Sequence, residues 1–90
     1  MSYDYQLERR RLFTEDGVAA LLKIRDAAEK AIALGGAVQS GSIMIGGDEW
    51  LSMAAMDFLV EREELQRVTP KGSTAGQHEI FVAGRRMPRR

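Results

Sequence analysis

Cysteine is absent from this 90-residue chain, which removes disulfides, thiolate metal sites and thiol nucleophiles at once and suits a reducing compartment. Histidine is nearly absent as well. His78 stands alone, so no two-histidine metal site can be built, and one imidazole among scattered carboxylates is a poor ligand set. No apolar run approaches the roughly 20 residues that cross a bilayer. None near the start has the form of a secretion signal, so the expected location is the cytoplasm. No internal repeat is present. No serine sits in a Gly-x-Ser-x-Gly elbow, and Ser40-Gly41-Ser42 has no base close in sequence. Lys71-Gly72-Ser73-Thr74-Ala75-Gly76 has a phosphate loop's composition in the wrong order, lysine first and a strand following. Asp57, Glu61 and Glu64 share a helical face, but a solvated acidic face is the expectation there rather than a cation site. No catalytic, cofactor or metal residue is therefore assigned, and the expectation is a protein that is not an enzyme.

What the chain does hold is a balanced but divided charge, 13 basic against 13 acidic residues. Residues 12–84 carry six basic and eleven acidic groups, a net of −5. Residues 1–11 are +1, and Arg85, Arg86, Arg89 and Arg90 make the end +4. The expected organisation is one compact domain over 1–84, burying roughly 60 to 65% of its unfolded surface, with 85–90 a basic, disordered tail.

Along the chain, Tyr3, Tyr5 and Leu7 alternate with Ser2, Asp4, Gln6 and Glu8, the period of a half-buried strand. Thr14 then caps a helix, with Phe13 and Val18 at staple positions and Glu15 and Asp16 at the positive end. Val18, Leu21, Leu22, Ala28 and Ile32 lie along one side of it, with Ile24 and Ala31 beside them. Asp26 and Lys30 form an i, i+4 pair, and Gly35-Gly36 ends the helix near residue 34. Ile43 and Ile45 suggest a short strand between glycines. Asp48 caps a second helix through Glu64, with a stripe of Leu51, Ala55, Phe58, Leu59 and Leu65 widened by Trp50, Met53 and Met56. Residues 65–69 and 78–83 read as two antiparallel strands around a turn-rich tip, 70–76. The fold class is α+β, two main helices packed on a small, mostly antiparallel sheet that closes with a hairpin.

The helix end Asp57-Phe58-Leu59-Val60-Glu61-Arg62-Glu63-Glu64-Leu65, then Gln66-Arg67-Val68-Thr69, a glycine-containing tip and Gln77-His78-Glu79-Ile80-Phe81-Val82, resembles the last helix and wing of winged-helix domains over about residues 48–83. In style the chain also resembles small bacterial or prophage proteins ending in a Gly-Gln-x-x-hydrophobic-Phe-Val strand. About seventeen residues between Gly47 and Glu64 make one helix of roughly 25 Å, not the helix-turn-helix pair of that family. A short helix or a turn would have to stand in for the missing one.

If the resemblance extended to DNA, the last helix would enter the major groove. Between Asp48 and Glu64 it carries six acids and Arg62 alone as a base, which opposes contact with a polyanion. DNA binding through the wing and tail, by Arg67, Lys71, Arg85, Arg86, Arg89 and Arg90, is the alternative reading. The leading one is a protein-interaction module, adaptor or homodimer. Apolar residues all around the first turns of the second helix call for something to cover them. The candidate surface is Trp50, Met53 and Met56, with Glu49, Asp57 and Glu61 selecting a basic partner by charge.

Overall fold

The computed structural model describes residues 3–43, 49–68 and 79–87. Three helices, α1 (Tyr5–Glu8), α2 (Glu15–Gly35) and α3 (Glu49–Glu61), pack with a three-stranded antiparallel sheet of β1 (Val38–Gln39), β2 (Leu65–Arg67) and β3 (Ile80–Ala83). The architecture is α+β, as expected. Asp48, Ile45, the hairpin tip, Lys71, His78, Arg89 and Arg90 lie outside the described residues.

α2 begins and ends where its sequence dictates. Thr14 Oγ1 accepts the Gly17 N–H at 3.1 Å, satisfying one of the free donors of the first turn. At the other end Gly36 takes the left-handed conformation, φ 80°, and its N–H bonds Ile32 O, a geometry that costs glycine nothing. The inward face keeps the expected Ile24 and Ala28 but not Val18 and Leu22. Ala20, Ile24 and Ala28 are buried, whereas Val18 and Leu22 are 44% and 55% exposed. The small residues face inward because a neighbouring backbone lies there: a Cβ on Gly17 would fall 1.7 Å from Arg11 O. Phe13 meets Phe58 edge to face, centroids 5.8 Å apart.

The N-terminal alternation does not form a strand. Asp4 Oδ1 accepts the Gln6 N–H and caps a single helical turn, and a 3-10 segment, Arg9–Phe13, follows. A short alternating run specifies a strand only where a sheet edge receives it, and tertiary contacts decide such short segments. Of the stretch 37–47, β1 takes Val38–Gln39, pairing Val38 with Phe81 and Gln39 with Ile80, and Ile43 lies beyond it. Ser40–Ser42 then turn into a 3-10 helix.

α3 is the centre of the molecule. Leu51, Ser52, Ala54, Ala55, Met56, Phe58 and Leu59 are all buried. α2, the 3-10 segment, α1 and β2 all pack against it, so the broad apolar surface that the sequence left without a cover is largely covered by the chain itself. α3 stops at Glu61, three residues before the expected end. Glu63 adopts φ 64°, Glu64 N–H bonds Leu59 O and Glu63 N–H bonds Val60 O, which together are a Schellman stop with glutamate where glycine is usual. The return strand clasps this turn: Gly84 N–H bonds Glu64 O and Arg86 N–H bonds Glu63 O. Met87 packs against the core. The fold therefore runs at least to Met87, beyond the boundary expected at 84.

β2 and β3 pair Leu65 with Ala83, Gln66 with Val82 and Arg67 with Phe81. The central strand β3 carries Phe81, fully buried, beside Val38 and Leu65.

Candidate interaction surface on the third helix

Asp57 and Glu61 stand one turn apart on α3, and one segment of the same chain occupies both. Tyr3 donates its hydroxyl to Asp57 Oδ2 at 2.8 Å, and Tyr5 donates to Glu61 Oε1 at 2.9 Å. Arg9 adds a two-pronged contact to Glu61, Nε to Oε1 at 3.1 Å and Nη2 to Oε2 at 2.7 Å. Its guanidinium also lies 5.3 Å from the ring centres of Phe13 and Phe58. These are charge-assisted contacts of good geometry, on a segment whose α1 buries no residue of its own. The N-terminal arm is thus held by these polar contacts together with the partly buried Tyr3 and Tyr5 rings, which pack against the core.

Below the arm, Arg67 donates to Asp57 and, at 3.3 Å, to Glu79, and lies 5.3 Å above the Phe81 ring centre. Burial works against its charge, but Asp57 and then Glu79 outweigh that and hold the guanidinium above its ordinary pKa. Asp57 is therefore shared by a phenol from the arm and a guanidinium from the sheet.

The arm's protons are held accordingly. Burial first, then the hydrogen bond to Asp57, raises the Tyr3 hydroxyl far above the usual phenol range. The same two causes, with Glu61 as acceptor and Arg9 opposing, push Tyr5 up to about 12. The hydrogen bonds of Arg9 and then Tyr5 lower Glu61. A phenol whose folded pKa lies above its unfolded value, about 10, stabilises the docked arm fully below pH 10 and loses that contribution as pH rises towards 12. A carboxylate held low contributes above its ordinary pKa and loses the contribution in acid. Tyr3 and Tyr5 are the chain's two tyrosines, so phenolate absorbance reports the arm directly. Alkaline titration is expected to give midpoints above that of free tyrosine, and Glu61→Gln to lower the Tyr5 midpoint. Two midpoints near 10 would show an undocked arm.

The other residues singled out from sequence are dispersed. Met56 is buried, 2% exposed, and belongs to the core rather than to a surface. Trp50 and Met53 are half-buried, and Glu49 is exposed at the start of α3. Of the basic set, Arg67 is the ion-paired residue just described, and Arg85 and Arg86 both pair with Glu63. An open groove of about 420 Å³ runs between the end of α3 and β2, with Arg67 and Arg85 on its wall. Glu64 leaves the face of Asp57 and Glu61. It is buried between Arg25, 2.6 Å away, and Arg62, at 3.1 Å. Among the described residues, no three acids or histidines gather as a metal site.

Sequence reasoning missed Tyr3, Tyr5, Arg9 and Phe13. Their signal was a pair of phenols two residues apart and a pair of acids four apart, which match only once the arm is known to turn. No helix of the described residues is long and apolar enough to cross a membrane. No protein-family model, curated protein or solved structure matches this chain.

Proposed function

We propose that this chain is a non-catalytic protein-interaction module whose recognition strip is Asp57, Phe58 and Glu61 of α3, reading a segment that carries tyrosine hydroxyls and a guanidinium. One observation carries the reading: the strip already holds such a segment, the chain's own residues 3–9, through Tyr3, Tyr5 and Arg9. The expected basic partner thus keeps its charge and gains its aromatic groups. DNA binding through wing and tail has less support, because Arg67, Arg85 and Arg86 are each engaged by carboxylates.

The test uses the full chain with its arm loosened by Tyr5→Phe and Arg9→Ala. A synthetic peptide of the sequence of residues 3–13 is titrated into it by calorimetry or NMR. Saturable binding is expected, weakened roughly fivefold or more by adding Glu61→Gln, a modest factor because the Arg9–Glu61 pair is partly exposed. No saturation at millimolar peptide, or equal binding without the Glu61 charge, would sink the reading. A random duplex bound tightly at low salt and released steeply at moderate salt would favour the alternative.

A further inference from the structure

Resting on that recognition strip, we infer that its occupant in trans is the arm of a second copy, so that two chains exchange residues 3–9 and form a symmetric dimer. The arm is built to leave. No residue of α1 is fully buried; Tyr3 and Tyr5 rest partly buried against the core and, with Arg9, hydrogen-bond α3. The fixed point is further along, at Leu12, 1% exposed, and at the backbone of Arg11 and Leu12 pressed against Gly17. The 3-10 segment Arg9–Phe13 carries both, Arg9 of the latch and Leu12 of the anchor, with Arg10 and Arg11 as the joint between them in a helix whose hydrogen-bond geometry is poorer than that of an α-helix.

Reach permits the exchange. From Leu12 back to Tyr3 an extended chain spans roughly 30 Å, comparable with the 33 × 30 × 22 Å body. Exchange also leaves every latch contact chemically unchanged, which is why swapping an element is a low-cost route to a dimer. The net gain comes from surface that a single copy leaves open. Leu7 on the arm is 60% exposed and Phe13 at the hinge 63%, and a two-fold axis near the crossing arms brings each to its own counterpart.

Charge reversal in two separate chains decides the matter. Arg9→Glu sets like charges against Glu61 in its own latch, and Glu61→Arg sets them against Arg9. Both side chains are about a third or more exposed, so each variant should fold, which circular dichroism verifies. In a mixed dimer both latches are complementary again, Arg9 of one chain meeting Glu61 of the other and the two reversed groups meeting likewise. Sedimentation velocity and native mass spectrometry of the full chains should show a wild-type dimer, at least tenfold weaker association of either variant alone, and a one-to-one dimer on mixing. A mixture that stays monomeric, or single variants that dimerise like wild type, would overturn exchange. Peptide binding to the loosened chain would survive that outcome, so a failure of exchange and a failure of the recognition strip can be told apart.

Discussion

Gly17→Ala is expected to destabilise the domain by about 4 kcal/mol or more, although alanine in a helix is ordinarily preferred to glycine by about 1 kcal/mol. The reversal of sign comes from the neighbouring backbone. An added Cβ would lie 1.7 Å from Arg11 O and 2.6 Å from both Arg11 C and Leu12 Cα, atoms that no side-chain rotation moves away. Gly17 keeps ordinary helical angles, so space rather than conformation demands glycine. The crossing segment must lift off α2, and Leu12, 1% exposed, leaves the core with it. Losing a buried leucine costs about 2 to 5 kcal/mol, and a chain of this size has roughly 5 to 13 kcal/mol in all. Urea denaturation should show the midpoint falling by about a third or more, and amide exchange should quicken first in residues 5–13. A variant as stable as wild type would mean that the segment does not cross α2 here. Because Gly17 anchors the base of the arm, the same substitution should also free Tyr3 and Tyr5 and bring both phenols back towards an ordinary titration.

The parts of this structure that were legible in sequence are those whose causes are local. Thr14 and Gly36 bracket α2 by capping chemistry, the Asp26–Lys30 pair forms at 2.9 Å, and β2 and β3 pair where β-formers flank turn residues. What escaped depended on contacts between distant segments. Tyr3 and Tyr5 read as one face of a strand because nothing near them announces that their hydroxyls meet carboxylates more than fifty residues away. Hydrophobicity places Val18 and Leu22 on the core face with Ile24 and Ala28, yet only the latter two are buried, joined by Ala20, and Val18 and Leu22 are 44% and 55% exposed. Glu63 in the left-handed conformation has no signal at all, since glycine is the residue that marks such a stop. The candidate surface was half legible. Asp57 and Glu61 could be named from their helical spacing, but that the chain covers them with its own arm is a tertiary fact. Met56 shows the converse, an apolar residue read as surface that belongs to the core, 2% exposed.

Phe81→Ala should cost about 3 to 5 kcal/mol, the usual penalty for emptying an aromatic site in a core, and lower the melting temperature by roughly 15 to 30 °C in a domain of this length. Phe81 is fully buried on the central strand, paired with Val38 on one side and Arg67 on the other, so no neighbouring strand can be repositioned without also breaking a ladder. The ring has a second duty. It lies beneath Arg67, whose guanidinium is held between Asp57 and Glu79, and Asp57 in turn accepts the Tyr3 hydroxyl. Removing the platform should therefore loosen the latch on α3 as well as the core. Phe81→Leu separates the two effects: it restores most of the buried volume, at a cost nearer 1 to 2 kcal/mol, but gives Arg67 no aromatic face. If stability recovers while the Tyr3 midpoint stays lowered, the ring positions the recognition strip through Arg67. If stability and the Tyr3 midpoint recover together, its contribution is packing alone.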